Sequence, residues 1–208
     1  MTTASLLRTV PLAVTLLSST ASTPLWGQWR LGLEVGAARF WGGSQETGEG
    51  ETSFRPYRPT TFGAGLERQS GRYAFGLRVH YFQSSLGLEG PELVISAEGA
   101  FETVTISPEA VIRIATLGPG NELRLHAGPV LEVWDIVDNG TRTRVGGQGA
   151  VSLDVPLGVR FSGVVAAGVA ATPSPFEEGE LDLGGGAPTY DRKTLWRRTL
   201  GLGLRYQL

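Results

Sequence analysis

From Gln28 to Trp41 the sequence alternates without a break. Trp29, Leu31, Leu33, Val35, Ala37, Arg39 and Trp41 hold the odd positions, and Arg30, Gly32, Glu34, Gly36 and Ala38 the even ones. A period of two sends successive side chains to opposite faces of an extended strand, whereas a helical period near 3.6 would scatter both classes around its axis. One face of this segment is therefore oily and the other small or charged. The choice is between a membrane-spanning barrel and a soluble sandwich or barrel.

Seven further segments repeat the pattern, near 60–69, 72–83, 101–116, 123–137, 147–155, 159–171 and 194–208. In the second, Phe62, Ala64 and Leu66 oppose Gly63, Gly65 and Glu67, and Ser70-Gly71 then turns the chain back. In the third, Tyr73, Phe75, Leu77, Val79 and Tyr81 oppose Ala74, Gly76, Arg78 and His80. The last sets Trp196, Leu200, Leu202, Leu204, Tyr206 and Leu208 against Arg197, Thr199, Gly201, Gly203, Arg205 and Gln207. Pro108 and Pro129 fall inside strands, and because a closed barrel has no edge to tolerate a missing N–H, a bulge or irregularity is expected at each.

The connections favour the membrane-spanning barrel over a soluble sandwich. Ser70-Gly71, Gly118 to Asn121 and Pro156 to Gly158 are short, while Gly42 to Arg58, Ser84 to Ala100, Asp138 to Gly146 and Thr172 to Lys193 are mostly long and rich in Gly, Pro, Glu and Thr. Tight turns on one rim and long loops on the other are the habit of transmembrane barrels, with the tight side periplasmic. The expected fold is thus all-β, an eight-stranded antiparallel up-and-down transmembrane β-barrel. Outward aromatics should then gather at both interfaces. Trp29, Tyr73, Phe161 and Tyr206 lie at the turn end of their strands, and Trp41, Phe62, Tyr81 and Trp196 at the loop end.

Composition narrows the function. With 41% apolar and 18% charged residues the chain is neither disordered nor a helical bundle, and a net charge of -2 gives no basic surface for nucleic acid. The lack of cysteine excludes disulfides, zinc–thiolate sites, cysteine nucleophiles and a lipoprotein anchor. Arg8, the apolar stretch Val10 to Leu17 and the small residues Ser18 to Ala21 read as a cleavable signal peptide over 1–21, leaving one barrel domain over 22–208. That apolar stretch is too short to cross about 30 Å of hydrocarbon as a helix.

Eight strands enclose a space that side chains can fill. The inward list reads as ion-pair layers: Arg30, Arg113, Arg124, Arg160 and Arg205 low with Glu67 and Asp154, and Glu34, Arg78, Glu109 and Glu132 near mid-height. The planar fork of arginine suits carboxylates in a confined space. His80 and His126 fall at different heights, so no nucleophile, base and orienting acid are expected together and no catalytic residue is assigned. Glu46, Glu49, Glu51, Glu177, Glu178, Glu180 and Asp182 lack a spaced ligand motif and read as solvated loop charge, so no metal or cofactor is expected.

With these residues in place, the chain resembles the small outer-membrane β-barrels of the OmpA-, OmpX- and OmpW-like family over Gln28 to Leu208. The ending Gly203-Leu204-Arg205-Tyr206-Gln207-Leu208 looks like that family's assembly signal, with Gly203, Tyr206 and Leu208 at its key positions. Leu208 stands where the family usually has an aromatic, and Gly201 where it has a polar residue. The resemblance implies residence in a bacterial outer membrane, contact with its lipids and lipopolysaccharide, folding by the barrel assembly machinery, and a monomer. The expected role is structural or surface contact, not catalysis. A narrow small-solute transporter and a secreted ligand-binding barrel remain as alternatives.

Overall fold

A computed structural model describes residues 28–42, 44–47, 50–89, 94–137, 140–175 and 194–208. The signal peptide expected over 1–21 lies outside them, as do Glu49, Glu177, Glu178, Glu180 and Asp182. The described residues form nine strands: β1 (Gln28–Gly42), β2 (Ser44–Thr47), β3 (Gly50–Ser70), β4 (Tyr73–Glu89), β5 (Val94–Leu117), β6 (Asn121–Ile136), β7 (Gly140–Pro156), β8 (Phe161–Pro173) and β9 (Thr194–Gln207).

Eight of them close a barrel. Each long strand pairs antiparallel with its chain neighbour, and β1 pairs with both β3 and β9, so the ring closes. The short β2 pairs only with the start of β3, outside the ring. Closure answers a physical demand, since hydrocarbon offers no water to satisfy the backbone groups of an open edge. Ser70 pairs with Tyr73 across the turn, where Gly71 takes a positive φ of 63° that side chains resist.

Period-two alternation is realised along every wall. Leu33 is 63% exposed and Phe75 72%, as an exterior facing lipid requires, while Ala74, Arg124, Glu109 and Asp154 are buried inside. The girdle residues meet across strands. Trp41 stacks on Trp196 at 5.9 Å, Phe161 lies 5.0 Å from Tyr206, and Phe62 pairs in register with Tyr81.

The strands differ in length from the expected ones. β3 begins at Gly50, β4 runs to Glu89, β5 begins at Val94 and β7 at Gly140, so much of what reads as loop is ladder standing beyond the girdle. Above the lipid, no face is held to apolar residues, and the alternation that reveals a strand disappears.

The prolines cause no register shift. Ile106 pairs with Leu131 and Ala110 with Ala127 in one continuous register, which sets Pro108 directly opposite Pro129, and the β5–β6 ladder simply lapses between those pairs. The shift on β5 falls instead near the turn, between Arg113 and Ala115.

Candidate functional site

The interior is occupied from the turn rim upward. In the lowest layer, Arg124 on β6 donates to Glu67 on β3 at 2.6 Å and to Asp154 on β7 at 3.2 Å. Arg205 on β9 also pairs with Asp154. Arg30 lies 3.4 Å from Glu122, and Arg113 donates to the same carboxylate at 2.7 Å. Glu122 escaped the sequence reading because it sits at the first step past a turn, where facing cannot be told. Arg160 is corrected: it lies in the β7–β8 turn, is fully exposed, and donates to the Tyr206 hydroxyl at 3.2 Å outside the lumen. Counting residues from a turn gave its height but not its side of the wall.

Arg78 organises the middle layer. Its guanidinium reaches Glu109 at 3.1 Å, Glu34 at 3.9 Å and His126 Nδ1 at 3.3 Å, while His80 pairs with Glu34. Gln148 donates to Glu109 at 2.6 Å. The two histidines, expected apart, thus share one network through a single arginine.

The same layer brings Glu109, His126 and Ser152 together from β5, β6 and β7, at 3.1 Å from His126 Nδ1 and 2.9 Å from His126 Nε2. Sequence reasoning missed this grouping, which depends on how three strands are staggered. The distances resemble those of a hydrolytic triad, and the ring's tautomer sets which way the donors run. Glu109 can only accept and Arg78 can only donate, and both face His126 Nδ1: a proton on Nδ1 serves Glu109 and leaves Nε2 to accept from Ser152, whereas a bare Nδ1 accepts from Arg78 and the ring donates from Nε2 to Ser152. The Ser152 hydroxyl also lies 3.2 Å from Asp154, a second acceptor for its proton, and the side chain is buried.

Glu132, expected at mid-height, belongs to a third layer. Arg197 pairs with it at 2.9 Å and donates to Thr105 at 3.0 Å, and Thr172 and Trp134 donate to its Oε2 at 3.0 and 3.2 Å. Directly above comes an apolar cap of Ala38, Phe40, Phe82, Phe101, Trp134, Ile136 and Leu195. Trp134 is its hub, with ring centres 5.9 Å from Phe40, 5.8 Å from Phe82 and 6.3 Å from Phe101. Arg197 joins the two regions by lying 5.6 Å from the Phe82 ring. On β7, Arg142 and Arg144, in register with Trp134 and Glu132, donate to the carbonyls of Pro175 and Ser174 at 2.7 and 2.9 Å. The cap was readable, since Phe40 and Phe82 share the phase of the inward charges on their strands, but aromatics were sought only on the outer face.

Two cavities in the lumen, one among Arg30, Glu67, Arg78 and Arg205 and the other among His80, Phe82, Gln148 and Arg197, each have a volume of about 40 Å³. That is space for a few waters, far below the roughly 300 Å³ or more of a small-molecule site. Neither touches Ser152. Among the described residues no cluster of His, Asp and Glu is arranged to hold a metal ion.

The closed ring, the apolar exterior and the paired girdles can be compared with solved structures. Neisserial surface protein A superposes with a TM-score of 0.58 at 11% identity, covering 86% of this chain and 97% of that one. The outer membrane protein OprG from Pseudomonas aeruginosa gives 0.58 at 10%, covering 88% and 96%. The outer membrane protein AlkL, solved in lipid bilayers, gives 0.52 at 14%, covering 88% and 90%. This chain has the fold of the small outer-membrane β-barrels. Its belt and girdles match the setting in which those proteins reside. No family model matches the sequence, and no curated protein matches it either.

Proposed function

We propose that the protein is a closed barrel of the bacterial outer membrane with a structural or surface-contact role, carried out by its exterior and its outward extensions and not by transport through its centre. The observation that carries this reading is the filling of the lumen by side chains, from the Arg124–Glu67–Asp154 layer through Arg78 to the Trp134 cap. Buried ion pairs of this kind hold geometry: removing one partner strands a charge and costs about 3–5 kcal/mol, although the intact pair adds little net stability. The burial of Ser152, away from both lumen cavities, supports a non-enzymatic role. The expected companions are membrane lipid, including lipopolysaccharide, and the assembly machinery during biogenesis, with the barrel acting as a monomer.

Planar-bilayer recording of the purified full barrel tests the reading. The expected trace shows no stable, large single-channel openings; reproducible openings of that kind would overturn it.

A further inference from the structure

Each arginine of the three ion-pair layers has a carboxylate partner, whereas three arginines gathered at the loop rim have none. Arg39 on β1, Arg198 on β9 and Arg58 on β3 line one cleft at the loop rim, together with Phe40, Trp41, Pro56 and Tyr57. Among the described residues no carboxylate pairs with any of the three. The cleft exists because the wall parts: the β1–β3 ladder ends at Ala37 and Thr60, although β1 continues to Gly42 and β3 starts at Gly50. Its volume is about 420 Å³.

The placement has costs that need a return. Arg39 and Arg198 face each other directly across the β1–β9 ladder, and like charges so placed repel. Arg58 has a φ of 42°, the sole positive value at a non-glycine among the described residues, next to the register shift between Tyr57 and Thr60. Its neighbour Tyr57 is exposed, with the Arg58 guanidinium 5.2 Å from the ring centre. Arg198 reaches up one row and covers the Trp41 ring at 4.3 Å, which brings its charge to the level of the girdle. At the opposite rim, Arg68 lies over the Trp29 ring at 5.7 Å and Arg72 over the Tyr73 ring at 5.6 Å.

We infer that this cleft binds the phosphorylated headgroup of an outer-leaflet glycolipid, the chemistry of lipopolysaccharide. Guanidinium forks bind phosphate oxygens in pairs, and three of them converging would offset their mutual repulsion by sharing an anion. The exposed Tyr57 provides a flat face for a sugar ring. A lipid is favoured over a free anion because the cleft opens on the lipid-facing wall at the girdle, where headgroups are held at high local concentration. The inference rests on the outer-membrane reading of the barrel.

The experiment uses the full barrel in phospholipid nanodiscs, titrated with fluorescent bis-phosphorylated lipid A. Heat-modifiable gel migration first reports whether the barrel is folded and inserted, so failure of the membrane reading is seen separately from failure of the site. R39Q/R198Q is expected to bind about tenfold more weakly, with R68Q/R72Q unchanged, in line with the loss of charge-assisted bonds. If R39Q/R198Q does not fold, the wild-type arms decide: dephosphorylated lipid A should bind about tenfold more weakly, and inorganic phosphate at equal concentration should not displace the lipid. Equal binding of the dephosphorylated lipid, unchanged binding by folded R39Q/R198Q, or displacement by inorganic phosphate overturns the proposal.

Discussion

Pro108 and Pro129 stand opposite each other across the β5–β6 seam, both on the lipid side, and neither has an N–H to give. Pro108 also pairs with Leu77, midway along β4 between the girdle residues Tyr73 and Tyr81, so the lapse falls near the middle of the apolar belt. The strands draw together there: a Cβ at Gly128 would collide with the Pro108 carbonyl oxygen. Gly128→Ala should therefore destabilise the barrel by about 1–3 kcal/mol through overpacking. At Gly149 a Cβ would meet only the His126 carbonyl at 3.7 Å, an ordinary contact. Gly149→Ala should stay within about 0.5 kcal/mol. Urea unfolding in lipid vesicles, followed by gel migration, compares the two, and equal effects would remove the seam from the explanation.

Asp154 accepts from Arg124 and Ser152 and also pairs with Arg205. Asp154→Ala leaves two buried guanidinium groups short of a counter-charge. The expected loss is about 3–5 kcal/mol in the same unfolding assay. The double change with Arg205→Met should recover part of it, because the second stranded charge is removed as well. No recovery would mean that the layer is not held by charge pairing.

Trp134 fills the cap at no measurable exposure. Trp134→Ala should cost about 3–5 kcal/mol as a cavity among Phe40, Phe82 and Phe101. Conductance should still be low, because Arg197, Glu132 and the layers beneath continue to block the lumen. A variant that conducts steadily in a planar bilayer would locate the barrier in the cap alone.

The last strand closes the ring through β1, with Leu31 opposite Tyr206, and the Leu208 amide donates to the Trp29 carbonyl at 2.9 Å. Removing Tyr206 to Leu208 takes away the Phe161 partner and the end of this closure. Loss of outer-membrane assembly is the expected result in fractionated cells, and normal assembly of the truncated chain would discount the C-terminal signal.

The legible part of this fold was the part that lipid constrains. Leu31, Leu33 and Val35 had to be apolar and Arg30 and Glu34 had to face away, so β1 could be placed within a residue. Gly50 to Pro59 meets no such demand, and its strand went unseen. Within the site, the identities of Arg78, Glu109 and Arg124 were readable as inward charge, but their partners were not. Partner choice depends on the stagger between strands, which alternation leaves undetermined: Ser152 reaches His126 by that stagger and by no sequence spacing. Arg160 shows the complementary limit, because at a turn the chain leaves the two-sided pattern and facing loses its meaning.

The length of the β3–β4 ladder has one more consequence. Its pairs continue from Phe62 and Tyr81 at the girdle to Ser53 and Glu89. At about 3.3 Å per residue that is a rise on the order of 30 Å along the strand, before tilt. Such a mast would carry its tip beyond the carbohydrate nearest the bilayer. Whatever meets the tip first would then come from outside the cell, and evolution could rewrite that tip while leaving the anchored hull alone.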